Sequence, residues 1–573
     1  MKYSPNWFVL LSSYFFWNVP VLHYLHKGGK MLKFKNGALD LVRIGKENLR
    51  QVKRNYCTAK LFEEIVRNRE GQLSRDSAIV VRTGHSLEKN CDDIFIVNDH
   101  ISEKIVDWGP KINTIDMICY ETLINRLLSY ILNKVLYVQN CHIGPDNQVP
   151  IRVITEKAWH NLFVRNMYFP IYHQEDPENY EPKFSVIHVP GFQSIPEIDG
   201  TNSQTAIIIN MMHKVVILCG CCYAGNIRKA VLAMLNYVLP KDIFPLQCAA
   251  SMSFSGDVSL FFGREAAGKT TLAIDSQSVF IGDHAHGWGP EGIFTFENGI
   301  YAHVFGIDSD NSSEINNCIH NFGAVLENVS IDLESRQIDL TDSDLTINTR
   351  ASFPSDCLKN ISPKKIHGHP KNIIFSSCDP LGVIPPVTLI TPAQAILGFL
   401  SSYSAIFTRT LNGDIRPEMN FSFGKLSPVY PPHVYAEQLY KKIKDHNITC
   451  WVINTGWVGK PYGEIDRIPV EYSRSAVRAI MSGELKDVEF EKDAIFRYKI
   501  PKKCPGIPDK FLNPRNIAED ITEYELRANR LVTAFIKDFS RFEDQIPKEL
   551  IGMIISLLPF EKRTDYNNLG FSM

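Results

Sequence analysis

Short apolar runs and amphipathic segments alternate along most of the chain. Runs rich in β-branched and aromatic residues predict strands at residues 78–82, 94–97, 135–139, 151–155, 184–189, 205–210, 215–219 and 257–262. Apolar residues at helical spacing predict helices at residues 60–69, 118–136, 159–167, 228–237, 523–542 and 547–559. The polar stretches 308–314 and 332–344 predict surface loops or hairpins. This alternation predicts an α/β or mixed α+β fold in two closely packed lobes that divide near residue 245.

The first 56 residues have a charge pattern unlike that of the whole chain. They contain ten basic and two acidic residues, whereas the net charge of the protein is −2. Five basic side chains fall on one helical face and apolar residues on the other; the five are Arg43, Lys46, Arg50, Lys53 and Arg54. An arginine-bearing leader with few acidic residues is typical of mitochondrial presequences. We predict a transit peptide over residues 1–56, cleaved after Tyr56, and a location in the mitochondrial matrix.

Other interpretations of this leader remain open. Residues 7–22 are apolar but are interrupted by Ser12, Ser13, Asn18 and Pro20, and they are short for a membrane span of about 20 residues. The segment could be a secretory signal, or translation could begin at Met31. The basic helix could also stay uncleaved in the cytoplasm. No later stretch is apolar enough to predict a transmembrane segment.

Composition excludes several classes of protein. The chain has 573 residues, of which 44% are hydrophobic, so it can bury a large core. The near-neutral charge gives no basic field for nucleic acid. Thirteen cysteines are an odd number in a long chain, so a disulfide framework is not expected. We predict that the cluster from Cys219 to Cys222 consists of small buried residues and is not a metal site.

A phosphate-binding motif lies near the middle of the chain. Residues 263–271 read Gly-Arg-Glu-Ala-Ala-Gly-Lys-Thr-Thr, which satisfies G-x-x-x-x-G-K-[ST] between a predicted strand and a predicted helix. The motif needs that context, because loop N–H groups and the start of the helix surround the phosphates. Lys269 would reach the β- and γ-phosphate oxygens, and Thr270 would bind Mg²⁺. The predicted nucleotide contacts are Gly263, Gly268, Lys269, Thr270 and Thr271, and the predicted cofactors are ATP and Mg²⁺.

From about residue 79 to residue 516 the sequence resembles ATP-dependent phosphoenolpyruvate carboxykinase. The resemblance rests on motifs at residues 261–263, 281–288, 326–329, 348–350, 379–386, 454–457 and 513–516. It implies an N-terminal lobe over residues 57–245 and a nucleotide-binding lobe over residues 246–573, with the phosphate loop in the second lobe and the active site between the two. The family converts oxaloacetate and ATP to phosphoenolpyruvate, CO₂ and ADP. It uses Mg²⁺ on the nucleotide and Mn²⁺ on the protein.

The resemblance also implies roles for particular residues. Catalytic roles fall on Tyr223, Lys229, Lys269 and Arg350. Metal contacts fall on Lys229, Thr270 and Asp283, and Arg467 lies near the arginine that stacks on adenine in the family.

Other family positions are changed in this chain, and the changes concentrate in the site. His85 replaces an arginine that clamps the substrate carboxylate. Gln247 and His284 replace a histidine and an aspartate that bind Mn²⁺, and His303 replaces a lysine that contacts phosphate. Within the phosphate loop, Ala266 replaces a glycine and Glu265 brings a carboxylate. Ala285 follows His284 in place of an acidic residue.

These changes predict a diverged, catalytically impaired relative that keeps its phosphate loop and acts through interaction or assembly with a mitochondrial protein partner. Deleting one electrostatic donor costs about 10²–10³ in rate, and several differ here together. The main alternative is an active carboxykinase, a lyase of gluconeogenesis, with an altered metal site. A different phosphotransfer or nucleotide-hydrolysing activity also stays open, as does a Zn²⁺ site formed by Lys229, Asp283 and His284. Mn²⁺ itself is not expected to bind.

Overall fold

The computed structural model describes residues 34–35, 38–39, 51–84, 93–106, 108, 113–132, 134–144, 149–172, 180–264, 267–307, 314–409, 415–421, 432–546 and 551–552. The predictions for His85, Glu265 and Ala266 lie outside these residues. So do most of the predicted leader and most of the helix predicted at residues 547–559.

The described strands, in chain order, are β1 (Phe34–Lys35), β2 (Ala38–Leu39), β3 (Gln51–Arg54), β4 (Gly71–Leu73), β5 (Ile79–Val81), β6 (Ile94–Val97), β7 (Asn113–Ile115), β8 (Val135–Ile143), β9 (Val149–Thr155), β10 (Phe169–Pro170), β11 (Phe184–Val189), β12 (Ala206–Asn210), β13 (Val215–Cys219), β14 (Phe244–Gln247), β15 (Ala249–Met252), β16 (Val258–Phe262), β17 (Val279–Gly282), β18 (Ala285–Gly289), β19 (Gly292–Thr295), β20 (Gly299–His303), β21 (Val325–Glu327), β22 (Ser330–Ile331), β23 (Ile338–Asp339), β24 (Arg350–Pro354), β25 (Pro370–Ser377), β26 (Val387–Ile390), β27 (Ser404–Arg409), β28 (Ile415–Asn420), β29 (Thr449–Asn454), β30 (Phe490–Lys492) and β31 (Lys499–Pro501). The described α-helices are α1 (Thr58–Arg67), α2 (Ser102–Ile105), α3 (Met117–Ile131), α4 (Ala158–Met167), α5 (Pro196–Asp199), α6 (Gly225–Val238), α7 (Lys269–Ala273), α8 (Glu314–Ile319), α9 (Pro392–Ser401), α10 (Pro432–Asp445), α11 (Val470–Ser482), α12 (Asp509–Leu512) and α13 (Ile521–Phe539).

The first half of the chain builds a mixed nine-stranded sheet. Its order is β10-β8-β9-β11-β13-β12-β6-β7, and β3 also pairs with β8. Both faces are covered, which explains why the strands read as unbroken apolar runs. Along β13, Val216 and Leu218 pack into one core, whereas Val215 and Ile217 pack into the other. The adjacent strands predicted at residues 205–210 and 215–219 are confirmed as the antiparallel pair β12 and β13.

The second half builds an eight-stranded sheet in the order β17-β15-β16-β25-β29-β26-β31-β30. Parallel strands β16, β25 and β29 lie at its centre. A separate five-stranded sheet, β20-β24-β21-β5-β4, combines strands from both halves of the sequence. The mixed α/β fold class is therefore confirmed, and the division near residue 245 stays a prediction.

Most predicted elements are confirmed, with two main corrections. The helix predicted at residues 118–136 ends at Ile131, because Val135 already starts strand β8. Asp116 caps the start of this helix by accepting a hydrogen bond from the Cys119 backbone N–H at 2.7 Å.

The polar stretch 332–344 contains β23, which forms a hairpin with β22 as predicted.

The second correction concerns the end of the predicted leader. Lys53 and Arg54 are predicted to lie on the basic face of a helix, but residues 51–54 form β3, which runs parallel to β8. Lys53 pairs with the buried carboxylate of Glu64. The Asn55 side chain accepts hydrogen bonds from the Asn140 backbone N–H at 2.9 Å and the Gln139 amide at 3.2 Å. Long-range pairing with β8 outweighs the local helical spacing here, so cleavage after Tyr56 would remove a paired strand.

Two further features complete the fold. Among the described residues, no helix is both long and apolar enough to cross a membrane. One disulfide joins Cys318 to Cys357, whereas the odd number of cysteines in a long chain predicted no disulfide framework. Cys219 and Cys221 are buried and Cys222 is half-buried, which agrees with the prediction of small buried residues.

The role of β3 predicts a clear difference between two truncated chains. A chain that begins at Cys57 should melt more than about 3 °C below one that begins at Gln51, because buried Glu64 loses its lysine and the edge of β8 is uncovered. Differential scanning fluorimetry of both chains and of the full-length protein gives the comparison. Equal melting temperatures for the two truncated chains would show that β3 contributes nothing to stability.

Candidate functional site

The phosphate motif occupies the turn between a central strand and a helix, as predicted. Strand β16 ends at Phe262, and α7 begins at Lys269. Gly263 has φ of 147°, and a Cβ added there would lie 2.4 Å from the Ser376 carbonyl oxygen. Gly268 also has a left-handed backbone, with φ of 87°. Both positions therefore require glycine.

The side chains that follow the loop are held by neighbouring groups. The Lys269 ammonium donates to the Arg264 carbonyl oxygen at 2.8 Å, so it lies over its own loop. The Thr270 hydroxyl donates to Asp283 Oδ1 at 2.5 Å. A hydroxyl beside a carboxylate offers two oxygen ligands of the kind that Mg²⁺ prefers.

A buried ion pair forms the next part of the wall. The Arg228 guanidinium donates to both Glu297 oxygens, at 2.7 and 2.6 Å. Its Nη2 also lies 3.6 Å from Asp283 Oδ2. Burial opposes the charge on Arg228, but Glu297 and Asp283 outweigh it and hold the pKa of the guanidinium above its ordinary value. The carboxylates of Glu297 and Asp283 are thus engaged by the protein itself.

The positions that depart from the family pattern lie around the same cleft. Gln247 ends β14, and His284 lies between β17 and β18. Burial lowers the pKa of His284 well below its ordinary value, and the nearby Arg228 and Lys269 add to this effect, so the imidazole is neutral. His303 forms a 2.8 Å hydrogen bond through Nε2 with the Ile347 carbonyl oxygen. The His303 ring therefore already has a hydrogen-bond partner within the protein.

The metal sites of the family fit this chain unequally. Thr270 and Asp283 fit Mg²⁺, but the protein-bound Mn²⁺ would meet an amine, an amide and a neutral imidazole from Lys229, Gln247 and His284. Mn²⁺ is better matched by carboxylate, carbonyl and water oxygens. Among the described residues, no group of three histidine, cysteine, aspartate or glutamate side chains could hold a metal ion. Of these three donors only the Gln247 amide offers an oxygen of the kind that Mn²⁺ prefers, so the set matches Mn²⁺ less well than one that contains a carboxylate.

The nucleotide end of the cleft contains Arg467. Its Nε donates to the Thr455 carbonyl oxygen at 2.7 Å, and its guanidinium lies 5.8 Å from the Phe407 ring centroid. Arg264 reaches across to Asn420 Oδ1 at 2.7 Å. Arg82, which follows β5, is exposed and does not line the cleft.

One cleft of about 1370 Å³ brings together the predicted site residues. Those that line it are Tyr223, Lys229, Gln247, Gly263, Gly268, Lys269, Thr270, Thr271, Asp283, His284, Arg350 and Arg467. The structure shows that these residues lie around one cleft, whereas their individual roles remain predictions.

Sequence reasoning assigned no role in this wall to three residues, Glu297, Tyr301 and Glu327. Glu297 pairs with Arg228, and the Tyr301 hydroxyl donates to Glu327 Oε1 at 2.8 Å. Glu327 was noted only as part of a family motif. Strand register could have found Glu327, because β21 places it directly opposite Arg350 at the start of β24. Glu297 lies between β19 and β20 and carries no such signal.

A mixed sheet whose central strand leads through a phosphate-loop motif into a helix, at the edge of a large cleft lined by charged and apolar side chains, defines an α/β protein of the phosphate-loop class. The sequence model of the phosphoenolpyruvate carboxykinase family matches residues 50–510. The chain belongs to this family.

Several relatives are similar over most of their length, and each bears the name phosphoenolpyruvate carboxykinase (ATP). The protein of Geotalea uraniireducens is 42% identical over 499 residues, covering 86% of this chain and 94% of the relative. That of Pelobacter propionicus is 41% identical, with 87% and 95% covered. That of Caldanaerobacter subterraneus is 40% identical, with 88% and 98% covered.

The ion pair of the cleft wall makes a stability prediction. Arg228→Met should lower the free energy of unfolding by about 3 kcal/mol, because it leaves Glu297 buried without its partner. Adding Glu297→Leu to that variant should recover most of the loss. Denaturant unfolding of the two single variants, the double variant and an Arg228→Lys control forms a double-mutant cycle. Additive losses would mean that the two side chains do not depend on each other.

Proposed function

We propose that this protein is a diverged phosphoenolpyruvate carboxykinase relative that binds ATP with Mg²⁺ but is impaired in the carboxykinase reaction. The observation that carries the proposal is the contrast within one cleft. The phosphate-side residues Lys269, Thr270 and Arg350 are kept, whereas Gln247, His284 and His303 replace metal and phosphate ligands of the family.

Each kept residue has a definite task in nucleotide binding. The Lys269 ammonium turns from the Arg264 carbonyl to the terminal phosphates, and loop N–H groups donate to phosphate oxygens. Thr270 and Asp283 supply the oxygen ligands for Mg²⁺, which neutralises phosphate charge when it is bound. Arg467 covers the base end of the cleft.

The impairment follows from lost charge. Phosphoryl transfer depends on positioned cations and metal ions. His284 is neutral and lacks the carboxylate that a hard cation prefers, and His303 cannot carry the permanent charge of a lysine. If two such changes act independently, they leave about 10⁻⁴ to 10⁻⁶ of the rate.

Nucleotide binding predicts a thermal shift with MgATP. At 100 times the dissociation constant the ligand should add about 2.7 kcal/mol of stability, which raises the melting temperature by a few degrees. Lys269→Ala should remove most of the shift without changing the melting temperature of the free protein. Scanning fluorimetry with MgATP, and with Mg²⁺ alone as a control, measures this. No shift at millimolar MgATP would refute nucleotide binding.

A second candidate is an active carboxykinase with an altered metal site. It is favoured by the 42% identity to an enzyme named for that activity and by the retention of Tyr223, Lys229 and Arg350 in the cleft.

A coupled assay with oxaloacetate, MgATP and Mn²⁺ separates the two candidates. We expect turnover far below 1 s⁻¹. The combined variant His85→Arg, Gln247→His, His284→Asp and His303→Lys should raise turnover by at least about 100-fold, because it restores the missing ligands. Turnover of order 1 s⁻¹ in the unaltered protein would favour the second candidate.

We also propose a mitochondrial matrix location and an interaction role there. The basic leader supports the location, and the pairing of β3 with β8 supports a mature chain that still contains Gln51. N-terminal sequencing of the endogenous protein should find a start between Met31 and Gln51. An intact Met1 would argue against import with cleavage.

A pull-down from mitochondria with the leader intact would test for a protein partner.

A further inference from the structure

Tyr301 is the residue around which the charged groups of the cleft are arranged. Its ring lies between two guanidinium groups, with the Arg228 Cζ 5.5 Å and the Arg350 Cζ 5.8 Å from the ring centroid. Phe163 packs edge-on against the same ring at 5.1 Å. The Tyr301 backbone N–H donates to Asp283 Oδ2 at 3.4 Å. The Tyr301 ring thus lies near two cations, and the backbone of the same residue contacts one carboxylate.

Glu327 anchors the far end of this ring. Its side chain is buried, with 1% exposed. Oε1 accepts from the Tyr301 hydroxyl at 2.8 Å, and Oε2 accepts from the Ala224 backbone N–H at 3.3 Å. Ala224 follows Tyr223, whose ring in turn lies against the Gly225 backbone, where an added Cβ would come within 2.4 Å of it. Glu327 therefore joins strand β20 to the turn that carries Tyr223.

Few neighbouring groups stabilise the ionised form of the Glu327 carboxyl. The titratable and charged groups near it are Tyr301, Tyr223 through the Tyr301 hydroxyl, and the cation of Arg350, its direct cross-strand neighbour. Burial raises the pKa of Glu327 to about 7, against the lowering effects of Tyr301, the Ala224 N–H and Arg350. Glu327 is thus divided between its two protonation states at neutral pH.

We propose that Glu327 is a proton-linked positioning residue of the cleft, which gains a proton when the phosphates of a nucleotide contact Arg350. This inference rests on the proposed nucleotide binding. A bound polyphosphate repels the Glu327 carboxylate and engages the one cation that favours it, so the protonated form gains. The protonated carboxyl still accepts from Tyr301 through one oxygen, so the ring keeps its place.

The sign of the linkage follows directly. Binding raises the proton affinity of Glu327, so binding takes up protons and affinity falls as the pH rises through 7. Near pH 7, where Glu327 is half protonated in the free protein, uptake should approach about 0.5 proton. Affinity should fall roughly threefold to tenfold between pH 6 and pH 8.5.

Isothermal titration calorimetry of MgATP into the full-length protein, in buffers of different ionisation enthalpy at pH 7, measures this uptake. Glu327→Gln should bind MgATP with about 0.5 fewer protons taken up and with a flatter pH dependence. The ligand's own ionisation is common to all variants and cancels in the comparison. Tyr301→Phe removes a donor to the carboxylate, so Glu327 should be protonated already and uptake should also fall.

Glu70→Gln is the matched control, because Glu70 is another carboxyl whose pKa is raised by burial, but its hydrogen-bond partners Asn68 and Trp159 do not line the cleft. It should leave proton uptake unchanged. If Glu327→Gln does not fold, Tyr301→Phe decides the question. Wild-type binding with uptake equal to that of Glu327→Gln or Tyr301→Phe would overturn this inference alone. No binding heat from the wild-type protein would overturn the proposed function and this inference with it.

Discussion

The buried charge of Arg228 is the constraint on which the cleft depends. A guanidinium with 8% exposure needs partners inside the protein, and Glu297 supplies two hydrogen bonds while Asp283 lies within ion-pair distance. Removing any one of these groups would leave the others buried and unbalanced. The wall of the cleft is therefore held together by its own charges.

This internal balance explains how metal ligands could change without loss of the fold. The neutral imidazole at residue 284 adds no charge beside Arg228 and Lys269, so no further buried charge needs a partner. His303 replaces a longer cation but finds a carbonyl acceptor at Ile347. Buried polar groups are tolerated when they are hydrogen-bonded. In the proposed function the same substitutions remove charge that phosphoryl transfer uses, which would make stability and catalysis separable at these positions.

The fold could be predicted well from the sequence because its strands are continuous apolar runs and its motifs have wide, regular spacing. Many of the residues that line the cleft could be predicted, because the phosphate motif and the resemblance to the family mark their positions; their roles stay predictions. The sequence could not predict β3, since the pairing partner of Gln51–Arg54 lies over 80 residues away and the local spacing is helical. It also could not predict the Arg228–Glu297 pair or the Tyr301–Glu327 bond, because each joins elements that only the tertiary fold brings together.

The substitutions divide the cleft into two functional parts. On the phosphate side, the glycines at residues 263 and 268, a lysine and a hydroxyl beside a carboxylate are kept, although Ala266 and His303 replace two other family residues there. Handling an enolate needs a second cation and a carboxylate clamp, and the side chains for both are replaced. A site that had lost all function would not be expected to keep the residues of one part. The division therefore favours a protein in which nucleotide occupancy itself is the useful event, coupled through Tyr301 to the arginines and to the turn that carries Tyr223.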